Sequence, residues 1–521
     1  MTHATPLRVV LVGFGPVGAR FAEELLPAVA GGEVALTVVG AENCDPYNRV
    51  MVAEFAVGDA ERDELDLVDS ASLVAAGAVV RTGARVVAIH SADSAVRLDD
   101  GTSLGYDRLV LATGARSRIP VLDGLEHVEH SASPGLDDGL TAGVCVLRTV
   151  EDAHQVRDVV AAGGRVVVLG AGVLGIELGM LLARAGAAPS IAHFGPIPMP
   201  RQLDRGSAAV LGAALENAGV HVIPHTRAEA IVARVDDRGE RRFHALVSSD
   251  GRVTEGDLLV LSCGVAARTE LASDAGLRVG GGILVDERLR AWTDPRIHAI
   301  GDCAHIGDPA LYLHEAVVPG GPSGLIGPGW RQAEWLARAM VAELRGQAFA
   351  PFEEELPGVV LLKADGVDLI SAGDVSADPF APVPRGEVGP GVAIWADPEH
   401  GTYTKMVTRE GVLTGFVSVG MPRTAAELSV LYARRAELPA DRSLLLRLDA
   451  ADDAAPRATG REATVCMCNA VTAGTIEDAI SDGCDTVVEV GRCTRAGTGC
   501  GGCRARISDM IASATREAAP A

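Results

Sequence analysis

The chain has 521 residues, 48% of them hydrophobic and 22% charged, a balance that excludes wholesale disorder and suggests about three domains. Its 69 acidic residues against 46 basic ones give a formal net charge of −23, which argues against nucleic acid and anionic membrane surfaces as partners. The 61 glycines and 3% aromatic residues suit nucleotide-binding α/β domains better than β-sandwiches or nucleic-acid readers.

Met1 to Leu7 carries no basic run ahead of an apolar core, so no targeting segment is expected and a cytoplasmic setting follows. A strand is expected at Val9–Val12. Gly13-Phe14-Gly15-Pro16-Val17-Gly18 comes next, then a helix through Ala19–Leu26 and a second strand at Leu36–Val39. In that setting Gly13 permits the tight turn, Gly15 lets a pyrophosphate approach the backbone, and Gly18 lets helix pack on strand. The helix start at Pro16 offers free N–H groups and a positive dipole end to phosphates. Glu42, 24 residues after Gly18, is placed to accept both hydroxyls of a ribose.

The pattern recurs at Arg165–Ala185. The strand Val166–Leu169 leads into Gly170-Ala171-Gly172-Val173-Leu174-Gly175, with Glu177 two residues later. This is also the most apolar window of the chain. Three glycines and a glutamate break it, so strand, turn and helix explain it better than a membrane span. The next strand, Ser190–Phe194, ends on His193 where an acid is usual. A neutral histidine neither repels a 2′-phosphate nor binds it as arginine does, so a modest preference for NADH is expected.

Beyond the two α/β units, residues 351–437 have a different texture. Short strands are expected at Val359–Leu362, Val367–Ser371, Val392–Trp395 and Tyr403–Val407, separated by Gly, Asp and Pro turns. They suggest a small α+β domain. Residues 438–464, rich in Ala, Asp and Arg from Asp449 onward, suggest an exposed linker.

The ten cysteines are unevenly placed: Cys44, Cys145, Cys263 and Cys303 are scattered, while six fall between Cys466 and Cys503. The four scattered ones form no close pair and are expected to be small buried hydrophobes. Cys466-Met467-Cys468 and Cys500-Gly501-Gly502-Cys503 supply two close thiol pairs, suited to a tetrahedral zinc or a [2Fe–2S] cluster. Spacing alone leaves both metals open. Cys484 and Cys493, between the pairs, are expected to pack a helix or loop.

Two glycine fingerprints in one chain resemble the two-dinucleotide flavoprotein family, which binds FAD first and NAD(P)H second. Tyr106-Asp107-Arg108-Leu109-Val110-Leu111-Ala112-Thr113-Gly114-Ala115 looks like that family's strand ending in Ala-Thr-Gly. Ser262-Cys263-Gly264 looks like a second such end with unusual residues. Thr293 to Asp302 looks like its closing motif. The resemblance implies FAD contacts at Gly13, Gly15, Pro16, Gly18, Glu42, Asn48, Arg49, Thr113, Gly114, Ala115 and Asp302. It implies NAD(P)H contacts at Gly170, Gly172, Gly175, Glu177 and His193. Hydride transfer to flavin demands no side-chain acid or base, so no catalytic residue is assigned.

Val465 to Thr472 and Thr498 to Cys503 resemble the bacterioferritin-associated ferredoxin-like [2Fe–2S] domain. That resemblance implies Cys466, Cys468, Cys500 and Cys503 as cluster ligands. The implied architecture is α/β: a two-dinucleotide-binding flavoprotein fold with two Rossmann-like domains, a small α+β domain and a small helical [2Fe–2S] domain. The implied boundaries are 1–125 with 246–336 for FAD, 126–245 for NAD(P)H, 351–437 for the small domain, 438–464 for the linker and 465–515 for the cluster.

The order of parts resembles the N-terminal part of NADH-dependent nitrite reductase large subunits and the electron-transfer subunits of assimilatory nitrate reductases. Asp45-Pro46-Tyr47-Asn48-Arg49 and Arg201-Gln202-Leu203-Asp204 support it, whereas Val50-Met51-Val52-Ala53 departs from the family's Leu-Ser ending. The resemblance implies electron transfer from NAD(P)H through FAD and a [2Fe–2S] cluster to a separate nitrate or nitrite reductase catalytic subunit. A ferredoxin or rubredoxin reductase and a bacterioferritin-docking redox module are the alternatives.

Overall fold

The computed structural model describes residues 5–126, 139–235, 239–312, 317–353, 358–364, 366–383, 385–386, 388–450, 460–466, 469, 471–499 and 501–518. Two five-stranded sheets organise the first 300 or so residues. The first runs Ile297–Ala299, Arg108–Leu111, Leu7–Val12, Val34–Val39, Val79–Arg81, with all neighbours parallel. The second runs His221–Ile223, Ser190–Ala192, Val166–Leu169, Leu258–Leu261, Val144–Cys145, again parallel throughout. The central strands carry the buried apolar runs Val9–Val12 and Val166–Leu169, because a parallel strand is covered on both faces. Helix Pro16–Ala30 covers the first sheet and helix Val173–Arg184 the second, each starting at its glycine turn.

The boundary expected at 245/246 is corrected. Strand Leu258–Leu261 pairs in register with Val166–Leu169, so the second lobe continues at least to Leu261. A three-stranded antiparallel layer, Ala228–Val235, Arg241–Ser248 and Val253–Glu255, runs across that boundary. Only the parallel pairing, made across some 90 intervening residues, assigns the Leu-Leu-Val-Leu run to this sheet. Two short antiparallel strands, Ala115–Ser117 and Val265–Ala267, then join the lobes.

The small domain is a five-stranded antiparallel sheet in the order Val360–Ala364, Val367–Gly373, Val412–Val419, Thr402–Arg409, Gly391–Asp397. Val412–Val419, unforeseen from sequence, is its central strand. The linker expected over 438–464 is also corrected, because Ser443–Ala450 is a helix. Leu445 packs with Phe416, Leu428 and Tyr432. Asp449 accepts hydrogen bonds from the Arg423 and Thr424 N–H groups (2.9 and 2.8 Å), capping helix Pro422–Ala433. The alanine- and aspartate-rich composition concealed a capping partner. Residues 451–459 lie outside the described residues.

Asp204 joins the small domain to the second lobe. Its Oδ1 caps helix Arg205–Asn217 through the Ser207 N–H (3.0 Å). Its Oδ2 accepts from the Tyr403 hydroxyl (2.7 Å) and the Lys405 ammonium (3.1 Å). The C-terminal module packs a strand pair, Thr464–Cys466 and Val471–Thr472, with helices Ala473–Ser481, Val487–Thr494 and Arg504–Ala518. Its core holds Cys466, Ile476, Val490, Cys503 and Ile507. Among the described residues, no helix is long and apolar enough to cross a membrane.

Candidate dinucleotide and cluster sites

At the first turn Gly13 adopts φ +107°, where a Cβ would overlap the Ala112 carbonyl. A Cβ on Gly18 would overlap the Gly13 carbonyl, so the helix packs directly on the turn. Among the described residues, the only neighbour within 4 Å of such a Cβ on Gly15 is Arg49 Nε, at 3.9 Å. The helix has Pro16 at its first position and no acid in its first turn, so its positive end is not neutralised from within. That cradle fits a pyrophosphate.

Glu42 lies three residues beyond Val39, whose carbonyl accepts from the Gly13 N–H (2.9 Å). Burial opposes its ionisation, but the Arg49 charge and hydrogen bonds from Tyr47 (2.7 Å) and Arg49 outweigh it. The carboxyl is therefore held below its ordinary range and is ready to accept hydroxyls. Arg49 also donates to the Arg148 carbonyl (3.0 Å) and stacks over the Tyr47 ring.

Thr113 and Gly114 tie the first sheet to the lobe junction. Thr113 Oγ1 donates to the Arg268 carbonyl (3.2 Å), and Arg268 N–H returns to Gly114 (2.9 Å). Ala115 pairs with Ala267. Asp302 sits on a turn whose Gly301 N–H donates to Gln332 Oε1 (2.7 Å). The same helix, Ile326–Leu344, sends the Trp330 indole N–H to the Pro16 carbonyl (3.1 Å). Among the described residues no donor hydrogen-bonds the Asp302 carboxyl, and burial raises its pKa. A half-buried acceptor with no protein donor beside this turn fits a hydroxyl-bearing ligand.

Asn48 departs from the flavin contact expected for it. Its Nδ2 donates to the carbonyls of Thr498 (2.7 Å) and Gly499 (2.8 Å), and its Oδ1 accepts from the Val50 N–H (3.1 Å). Both amide hydrogens are therefore committed to the C-terminal module. Sequence reasoning could not see this, because the partner lies 450 residues away.

The second turn repeats the first. Gly170 sits at φ +121° against the Ser262 carbonyl, Gly175 packs on the Gly170 carbonyl, and a Cβ on Gly172 meets nothing within 4 Å among the described residues. Glu177 is buried in the helix that follows. His193 stands one residue beyond strand Ser190–Ala192, with its ring buried and Nε2 unpartnered among the described residues. Burial and the neighbouring His225 hold its pKa below the ordinary range, so it is neutral. The exposed side chain at this strand end is Phe194.

Burial pushes the thiols of Cys44, Cys145 and Cys303 up, and that of Cys263 to about 11. None is activated as a nucleophile. In the C-terminal module Cys466 and Cys503 are buried in one core, whereas Cys468 and Cys500 lie outside the described residues. Asn469, next to Cys468, donates to the Arg495 carbonyl (2.6 Å). Thr498, two residues before Cys500, donates to the same carbonyl (2.9 Å). Both cysteine loops are thus tied to one point, and two thiols with their sequence neighbours fit a four-thiolate centre.

Residues 464–513 match the BFD-like [2Fe-2S] binding domain. The chain is 29% identical to the nitrite reductase [NAD(P)H] of Bacillus subtilis (strain 168), over 98% of this chain and 59% of that protein. It is 28% identical to the assimilatory nitrate reductase electron transfer subunit of the same organism, over 97% of this chain and 59% of that protein. The chain thus spans less than two thirds of the length of these relatives. Its fold is shared with a covalent putidaredoxin reductase–putidaredoxin complex, with a TM-score of 0.69 and 23% identity over 87% of this chain and 100% of that one. The cofactors that follow from the matches are FAD and NAD(P)H for the paired lobes and a [2Fe–2S] cluster for the C-terminal module. The pyridine nucleotide-disulphide oxidoreductase model covers residues 7–323, and the chain belongs to that family.

Proposed function

We propose that this oxidoreductase is an electron-transfer flavoprotein that carries electrons from NAD(P)H to a separate nitrate or nitrite reductase catalytic unit in the cytoplasm. The observation that carries the reading is the seating of the cysteine loop, through Thr498 and Gly499, on Asn48 of the first lobe. It supports an exit cluster held close to the segment that begins at Glu42.

When bound, FAD exchanges two electrons as hydride with a nicotinamide and single electrons with a [2Fe–2S] cluster. The residues bind and orient. The N–H groups after Gly13 and Gly170 would take the two pyrophosphates, Glu42 a ribose and Asp302 a hydroxyl of the flavin chain. Cys466, Cys468, Cys500 and Cys503 would hold the cluster. No side chain is required to move a proton at the hydride step, and burial raises the thiols of Cys44, Cys145, Cys263 and Cys303.

The test is anaerobic reduction of the purified protein by NADH. About two irons per chain are expected, with dye reduction in the absence of partner. Cys500→Ser should lose the iron and keep FAD. Electrons should reach nitrate or nitrite only when a catalytic subunit is added. Zinc in place of iron, or reduction of a soluble ferredoxin or rubredoxin in preference to that subunit, overturns the reading.

A further inference from the structure

We propose that Asn48 is a positioning residue that clamps the second cysteine loop onto the first lobe, inside charge pairs made by Arg495 and Arg504. The inference rests on the electron-transfer reading and names the dock through which it operates. The exchange it serves balances. With the cofactors bound, each hydride would bring two electrons and release NAD(P)+, the electrons would leave one at a time to the cluster and then the acceptor, and the flavin's proton would return to solvent.

Asn48 is 2% exposed, so its amide would be stranded if the two carbonyls withdrew. The carbonyls that accept from it end one residue short of Cys500, while its own neighbour Arg49 is ion-paired with Glu42. A single residue therefore separates the expected ribose acid and its arginine from the expected cluster loop. Neither the small domain nor the second lobe offers such a link to this loop among the described residues.

The surrounding contacts come from residues beside the cysteines. Arg504, next to Cys503, pairs with Glu64 (2.6 Å) and reaches Met51 Sδ (3.7 Å). Arg495 faces Glu24 (3.5 Å) and Glu23 (3.9 Å) on the helix that leaves the first glycine turn. Arg495 ends helix Val487–Thr494 at φ +66°, a position that favours glycine. Its side chain earns that strained place by its reach to the acids. These half-exposed pairs orient more than they stabilise, and salt screens them. Around Asn48 they leave a cleft of about 590 Å³ whose walls include Pro16, Asp69, Trp330 and Arg492.

The experiment uses the full chain, with iron and FAD content measured first. Asn48→Leu, Arg504→Glu and the swap Arg504→Glu/Glu64→Arg are compared by stopped flow, following flavin and cluster separately. Asn48→Leu should slow cluster reduction roughly tenfold or more relative to flavin reduction. Arg504→Glu should slow it too, with dye reduction unchanged, and the swap should recover the rate. Wild-type cluster reduction should slow as salt rises.

Hydrogen exchange over residues 45–66 gives a readout independent of turnover. Protection there should fall in Arg504→Glu and return in the swap, with or without a cluster. Wild-type rates and protection in both single variants overturn the dock. A wild-type protein without iron overturns the function reading instead, and the exchange arm still decides the dock.

Discussion

The Asp204–Lys405 pair offers a sharp test of how the small domain is held. Lys405, one of two lysines in the chain, has a side chain only 4% exposed. Its ammonium meets Asp204 Oδ2 at 3.1 Å, and Tyr403 donates to the same oxygen. Asp204→Asn keeps a capping oxygen for Ser207 but leaves a buried ammonium without its countercharge. It should cost about 3–5 kcal/mol. Lys405→Met removes the charge and leaves the carboxylate its Tyr403 and Ser207 donors. That change should cost about 1 kcal/mol. The double variant should be more stable than Asp204→Asn alone by about 2 kcal/mol, a coupling characteristic of contacting charges. Native-state hydrogen exchange of strand Thr402–Arg409 and helix Arg205–Asn217 in the full chain reads these values locally. Equal single costs that simply add would refute the reasoning, because they would mean the lysine reaches water. Burial opposes Asp204 ionisation, but its hydrogen bonds hold the carboxyl below the ordinary range. Its contribution is therefore full above about pH 4 and is lost as pH falls through the lower folded value.

Gly18→Val drives a side chain into the Gly13 carbonyl and should yield protein without flavin. Full flavin absorbance in the purified variant would contradict the packing. Asp302→Ala removes an acceptor that no described protein donor uses. FAD affinity should fall by about 1.5–3 kcal/mol, roughly ten- to hundredfold by calorimetry, and an unchanged affinity removes Asp302 from the site. Burial, against the lowering charge of Arg20, raises Glu23 to about 7 from an ordinary 4.5. The stability tied to its protonation is full below about pH 4.5 and is lost as pH rises through about 7. Glu23→Gln should therefore melt progressively higher than wild type from pH 5 to pH 8, and a constant difference across that range sinks the assignment.

What could be read along the chain was local chemistry. The two glycine turns were legible because their constraints fall within six residues: a left-handed Gly13 or Gly170, then a helix residue with no room for Cβ. Glu42 was legible by its distance along one strand–helix–strand unit. His193 was found at its strand end, but its surroundings come from later in the chain: Ile223 of the next strand accepts its N–H, and His225 beyond that strand lies beside its ring. Strand Val412–Val419 and helix Ser443–Ala450 escaped notice for a related reason. Each is defined by partners, a flanking strand on either side or a capped neighbour, rather than by its own composition.

By itself, then, the sequence determined the two dinucleotide turns, the cysteine module and their order, because each is encoded by residues close together in the chain. Tertiary structure alone decided how they meet. The second lobe closes with a parallel strand supplied from Leu258–Leu261, and the small domain hangs on Asp204 through Tyr403 and Lys405. Asn48 turns from the dinucleotide site to the carbonyls of Thr498 and Gly499. Side-chain amides, ammonium groups and strand edges are satisfied by whichever partner the fold delivers, and no spacing along the chain specifies a partner hundreds of residues away.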